Sequence, residues 1–296
     1  MDMENDEGFV HELDILQPAI QQGSCSAVAT AQCLSATLQM MLGGLQDPAR
    51  RASVQELIDK TQEAFPNDCY RAVPGEGGFR GFPSKTAFLY IKQYGVAVEA
   101  KHPYLGQRTS TPTPLDSPRI RIQGYTVMKR LPGTDPLYLE TQPIIRRQPI
   151  VGVFLAPDSL EQHREKGHDG GDAGGREEFS SEGGGEFGGE KNRISVGQSF
   201  RHEERAGEKP NGNKKLVLGV YQGAKDVDDA KTAGRHAVVI FGYGTENGQD
   251  YYWIQNTWGP EWGDNGIGKV SAHLFIYFVY PDLEGISIEE PGEGSA

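Results

Sequence analysis

Cysteine, basic charge and long apolar runs are all scarce in this sequence, and each shortage removes a class of function. Only Cys25, Cys33 and Cys69 are present. An odd count without C-x-x-C spacing supports neither a zinc site nor a dense disulfide framework, and fits a reducing compartment. Lys and Arg number 29 against 41 Asp and Glu, a formal net charge of -12. A nucleic-acid partner would need a clustered basic face to neutralise phosphates, so none is expected. The longest apolar runs, such as Leu274 to Tyr280, fall far short of the roughly 20 residues of a membrane-spanning helix, so no membrane partner is expected either. The acidic opening Asp2-Met3-Glu4-Asn5-Asp6-Glu7 lacks the basic and then apolar regions of an export signal, which leaves the cytoplasm as the default location. What remains, 36% hydrophobic residues in a chain of 296, suffices for an ordinary core in one large domain or two.

Helices dominate the first hundred or so positions. Apolar residues at 27, 28, 31, 34, 38 and 41 repeat with helical period from Ser26 to Leu42 and end at Gly43-Gly44, which predicts one long, largely buried helix with Cys25 at its first turn. Ser53-Val54-Gln55-Glu56 announces a second helix, because a Ser hydroxyl and a Glu carboxylate at this spacing can satisfy each other's free N–H groups. A third is expected from Ser84, just after Pro83, to Gly95.

Strands dominate after Pro118. Residues 119–127 alternate polar and apolar like a half-buried strand, and Pro149 to Leu155 reads as a fully buried one. From 158 to 215 runs a tract of Gly, Glu, Lys and Arg, too polar to offset the entropy of ordering it, so a disordered insertion is expected. His163, His168 and His202 fall inside it and read as solvated loop residues. Order resumes at Leu216. Ala237 to Tyr243 and Tyr251 to Gln255 form two apolar strands around Asn247-Gly248, the strongest short hairpin signal, since both residues readily adopt positive φ.

His236 and Asn256 flank that hairpin with their midpoint inside the turn, so the ladder can bring the two side chains together. An Asn carbonyl accepting one ring N–H fixes the tautomer of an imidazole and leaves its other nitrogen facing a nucleophile. Trp258 could shield that bond from water, where it would be stronger. The bland alternative is a structural His and an Asn serving a turn.

The stretches Gly234-Arg235-His236-Ala237-Val238-Val239-Ile240-Phe241-Gly242-Tyr243-Gly244 and Tyr252-Trp253-Ile254-Gln255-Asn256-Thr257-Trp258-Gly259-Pro260-Glu261-Trp262-Gly263 closely resemble the His and Asn blocks of papain-like cysteine peptidases. Upstream, the loop 77–83 is similar to that family's G-C-N-G-G-Y-P segment, with Gly81, Phe82 and Pro83 matching and Gly78 in place of its Cys. The resemblance implies an α+β, two-lobed fold, a helical left half and an antiparallel β-barrel-like right half with the active cleft between them. We expect this unit over 8–283, its halves about 8–118 and 119–283, with 284–296 as a tail. By the same resemblance His236 is general base and acid, Asn256 its orienter, and Gly81, Phe82, Pro83, Val153, Ala237 and Trp258 border the substrate. No metal or organic cofactor is implied. Partners would be a protein or peptide substrate and cystatin-like inhibitors.

Around the nucleophile the family reads Q-G-x-C-G-S-C-W-A-F, whereas this chain has a shortened Gln22-Gly23-Ser24-Cys25-Ser26-Ala27-Val28. Cys25 then matches either the first, disulfide-forming Cys or the nucleophile. Loss of the disulfide partner at Gly78 favours the nucleophile. A thiolate at a helix N-terminus beside an imidazolium is stabilised, so the Cys25 pKa is expected below that of a free thiol. Cys33 reads as a small core residue and Cys69 as inert. The family's oxyanion-binding Gln would fall at Ala19, which leaves Gln22, three residues before Cys25, or Gln21, four before, to supply that donor. The expected function is thus a cysteine-type peptidase; the alternative is an impaired relative that keeps the cleft as a peptide- or inhibitor-binding module.

Overall fold

A computed structural model of the chain describes residues 9–10, 23–42, 50–70, 80–131, 133–161 and 219–291. In chain order the elements are β1 (Phe9–Val10), α1 (Cys25–Met41), α2 (Val54–Ala64), α3 (Ser84–Tyr94), β2 (Val96–Ala97), β3 (Arg119–Arg121), β4 (Tyr125–Lys129) and α4 (Tyr138–Ile145). They continue with β5 (Ile150–Ala156), β6 (Val220–Tyr221), α5 (Val227–Thr232), β7 (Gly234–Glu246), β8 (Gln249–Gln255), β9 (Ile267–Ser271), β10 (Phe275–Pro281) and β11 (Ser287–Glu289). The architecture is α+β. Among the described residues no helix is long and apolar enough to cross a membrane.

Every residue of α1 from Ser26 to Leu34 is buried. A helix without a wet face must be covered all round, and α1 is: α2 and α3 pack on it from one side, β5 and β7 from the other. Its many Ala, Ser and Thr residues let these neighbours approach closely. Cys33 is the core residue expected, its thiol donating to the Pro149 carbonyl at 3.3 Å.

α2 starts as predicted, with Ser53 Oγ accepting the Glu56 N–H at 3.1 Å. The reciprocal bond does not form, because the Ser53 N–H donates instead to the Ala97 carbonyl at 2.8 Å. The Glu56 carboxylate, almost wholly buried, is thereby released to accept from the Tyr90 hydroxyl at 2.8 Å, the Ala97 N–H at 2.6 Å and the Arg119 guanidinium at 2.6 Å. One carboxylate thus joins α2, α3, β2 and β3.

The strand expected over 119–127 is two strands in two sheets. β3 lies between β11 and β2 in a three-stranded sheet on the helical half, while β4 is the edge of the large sheet. The break falls at Gly124, where a Cβ would meet the Asp282 carboxylate at 2.1 Å and whose carbonyl accepts the Asp282 N–H at 3.0 Å. Since β11 closes the β3 edge, residues 287–289 are part of the helical half rather than a tail.

The large sheet has the order β4-β10-β5-β7-β8-β9-β6, with β1 on the part of β7 that β5 leaves open. Neighbours are antiparallel except β6 and β9. Both faces are covered. Val151, Val153, Ala237, Val239 and Val279 face the α1 core, whereas Ile150, Phe154, Val238, Ile240, Tyr252 and Phe278 belong to a second core on the far side. Strands covered on both faces read as continuous apolar runs, which is how β5 and β7 appear in the sequence. Between them Gly152 leaves no space for a side chain, since a Cβ would lie 2.4 Å from Ile240 and 2.6 Å from Phe275.

Candidate active site

His236 is the third residue of β7 and pairs with Phe154 of β5; Asn256 directly follows β8. The two strands turn at Asn247-Gly248, with φ of 53° and 76°. A bulge between Ile240 and Gly242 shifts the ladder so that Val239 faces Gln255. One further step would set Asn256 against Val238. His236 and Asn256 are therefore diagonal rather than directly opposed, a separation long side chains still span.

Nε2 of His236 lies 2.7 Å from Asn256 Oδ1, and the Thr257 N–H also donates to that atom at 2.7 Å. Two donors converge on one atom, so it is the amide oxygen. The ring therefore donates from Nε2, and when neutral it keeps Nδ1 as a bare acceptor. Trp258 stacks on the imidazole at 4.5 Å between centroids with 28° between planes. Trp262 braces Trp258 edge-on at 6.3 Å and is anchored by its own N–H to the Leu160 carbonyl at 2.8 Å. Leu160 is buried in a short helical turn over Asp158–Leu160. That turn corrects the start of the expected insertion; the tract from 162 onward lies outside the described residues, as do the three histidines placed in it. Phe154 closes the other side of the ring at 5.9 Å. So enclosed, His236 loses hydration of its charged form, and burial pushes its pKa down to about 4 against the opposing pull of the Asn256 bond.

Cys25 opens α1 and is half-buried. Its sulfur is approached by the backbone N–H groups of Ala237 and Ser26, by the Ser26 hydroxyl and by its own N–H. These contacts favour a thiolate, as the helix N-terminus was expected to. Burial outweighs them, and the thiol pKa is raised, not lowered. The reason is the company of the sulfur: Phe82, Val153 and Tyr277 share its cavity and offer a charge little solvation.

That cavity holds about 120 Å³ and brings Cys25 and His236 together with Gly81, Phe82, Val153 and Ala237. Two residues expected at the substrate are elsewhere. Pro83, with φ -64° and ψ 144°, is the residue from which α3 starts, and Trp258 covers His236 instead of lining the cavity. Gln22 lies outside the described residues. Tyr70, Arg235 and Tyr277 line the cavity without having been anticipated. Arg235 stood inside the recognised His block; Tyr277 had no local signal, since only the pairing of β10 with β5 brings it there. The other thiols are separate from the cavity: burial raises both, and Cys69 donates to the Phe65 carbonyl at 3.2 Å.

A family profile described as papain family cysteine protease matches residues 212–274, the stretch that contains both His236 and Asn256. Along most of the chain, cysteine proteinase COT44 of Brassica napus is 26% identical over 254 residues, 85% of this chain and 54% of that protein. Papaya proteinase 4 of Carica papaya is 25% identical over 257 residues, 86% of this chain and 51% of that protein. The chain is thus similar to papain-like cysteine peptidases, most closely across the stretch that holds His236 and Asn256. It spans about half the length of these two relatives. Solved structures agree on the fold. The bromelain protease of Ananas comosus, in complex with an inhibitor, superposes with a TM-score of 0.51 at 19% identity, covering 91% of this chain and 94% of that one. Procathepsin B of Trypanosoma congolense gives 0.57 at 18% identity over 96% of this chain and 79% of that one. The papain-like fold accounts for the helical half, the sheet half and a cleft between them at the start of α1.

Proposed function

We propose that this chain is a cysteine-type peptidase that cleaves peptide bonds of protein or peptide substrates through Cys25, His236 and Asn256. The observation that carries the reading is the oriented imidazole, bonded to Asn256 at 2.7 Å under the Trp258 ring, in one cavity with a thiol at a helix N-terminus. In the reaction Cys25 Sγ attacks the peptide carbonyl carbon while its proton passes to His236 Nδ1. The imidazolium then protonates the leaving amine as the C–N bond breaks, leaving a thioester. Water, deprotonated by the same nitrogen, hydrolyses the thioester and restores the thiol. Asn256 holds the ring in the tautomer that both transfers need. The developing oxyanion would take the Cys25 N–H and, in this reading, the Gln22 amide; one lost donor costs about a hundred- to a thousand-fold in rate. Cystatin-like inhibitors would occupy the same cleft.

The test combines turnover with covalent capture. Fluorogenic peptides should be hydrolysed, and a peptidyl epoxide should add once, at Cys25. Cys25→Ser should lose both. Folded protein that neither hydrolyses any peptide nor captures the epoxide would refute the reading and leave a peptide-binding relative.

A further inference from the structure

The cavity beside Cys25 carries a charge that the hydrolytic chemistry does not use. Tyr277 pairs with Val153, and Val153 with Ala237, so these three residues form one row across β10, β5 and β7. Arg235 pairs with Leu155 in the next row toward the strand ends. Residues two apart on a strand share a face. Arg235 therefore follows Ala237 on the cleft face, at the cavity's mouth. It is exposed, and it brings the only formal charge among the described residues that line the cavity. Among the described residues no carboxylate pairs with its guanidinium. In a chain with 41 acidic and 29 basic residues, this places an unpaired cation against the prevailing sign. Phe82 and Tyr277 line the cavity beside it.

We propose that Arg235 makes this peptidase selective for substrates bearing a carboxylate beside the scissile bond, with the guanidinium holding that carboxylate at the mouth of the cavity. The inference rests on the peptidase reading above. A guanidinium presents parallel N–H groups that match a carboxylate in two-point contact, which an uncharged isostere cannot use. The apolar walls below it reduce the screening that weakens fully exposed pairs.

The test uses internally quenched peptides that differ at one residue on the acyl side of the bond, Glu or Asp against Gln, and a Gln peptide ending in a free acid or an amide. Glu should exceed Gln in kcat/KM by at least about fivefold. The ratio should fall to about one in Arg235→Gln, invert in Arg235→Glu and return in part in Arg235→Lys. A preference for the free acid over the amide that is lost in Arg235→Gln would likewise support the proposal, with the chain terminus as the source of the carboxylate. Hydrolysis without acid preference, or a preference that survives Arg235→Gln, would overturn the inference and leave the peptidase reading intact. Absence of hydrolysis for every peptide would overturn both.

Discussion

Alkylation of Cys25 by iodoacetamide across pH 5 to 8 separates two states of the dyad that differ in rate by orders of magnitude. With His236 held down to about 4 and Cys25 raised above an ordinary thiol, the resting pair is neutral at pH 6. Even an unperturbed thiol with a pKa of about 8.5 is only about 0.3% ionised at pH 6. A thiolate–imidazolium pair would be almost fully ionised there, so the two states differ more than about 300-fold in labelling rate. The neutral pair requires a rate that climbs about tenfold per pH unit without a plateau. Turnover is a poorer probe. Both states share one proton, so kcat/KM reports the macroscopic values of the pair in either case. A pH-independent labelling rate between pH 5 and 7, abolished by His236→Ala, would refute the claim that burial dominates at Cys25. The charge pair would then be the resting state, and proton transfer would precede attack rather than accompany it.

Three further outcomes follow from the packing. His236 has a folded pKa of about 4, below its unfolded value of about 6.5, so the unfolded chain binds the extra proton and stability falls as pH drops from 6.5 toward 4, by about 3 kcal/mol; urea unfolding at pH 7 and pH 4.5 should show this slope, and His236→Gln should flatten it. Trp258→Ala should readmit water to the imidazole and move its pKa up from about 4 toward the ordinary value, as read by NMR titration; an unchanged pKa would mean that Phe154 and the strands alone desolvate the ring. Glu56→Ala should cost about 3 to 5 kcal/mol in urea unfolding, because it strands the Arg119 guanidinium, the Ala97 N–H and the Tyr90 hydroxyl together; a loss below about 1 kcal/mol would show that water takes over those bonds.

The features legible in the sequence are those that depend on neighbours along the chain. Helical period placed α1 and α3 to within a residue or so of Cys25–Met41 and Ser84–Tyr94, and Asn247-Gly248 placed the hairpin turn. The features missed depend on contacts far along the chain. Residues 119–127 pass locally for one alternating strand, yet Asp282 approaches Gly124 and splits the strand in two. Nothing local marks the bulge between Ile240 and Gly242, which offsets His236 from Asn256 without parting them. Glu56 looks like half of a capping box until β2 takes the Ser53 N–H and Arg119 claims the carboxylate. Arg235 and Tyr277 meet Cys25 only through the register of β10, β5 and β7.

The thiol departs from its expected behaviour for the same physical reason. A helix N-terminus is visible in a sequence, and its free N–H groups favour an anion. The apolar side chains around it, Phe82, Val153 and Tyr277, come from residues more than fifty positions away. Those walls also give the site its order. Val153 and Ala237 belong to the α1 core, so the sheet that carries His236 and the helix that carries Cys25 are fixed against each other by apolar contact. A more open site would solvate the thiolate, but it would surrender the packing that brings the two groups together. Burial thus brings the thiol and the imidazole into one cavity and, by the same contacts, disfavours the charge on each.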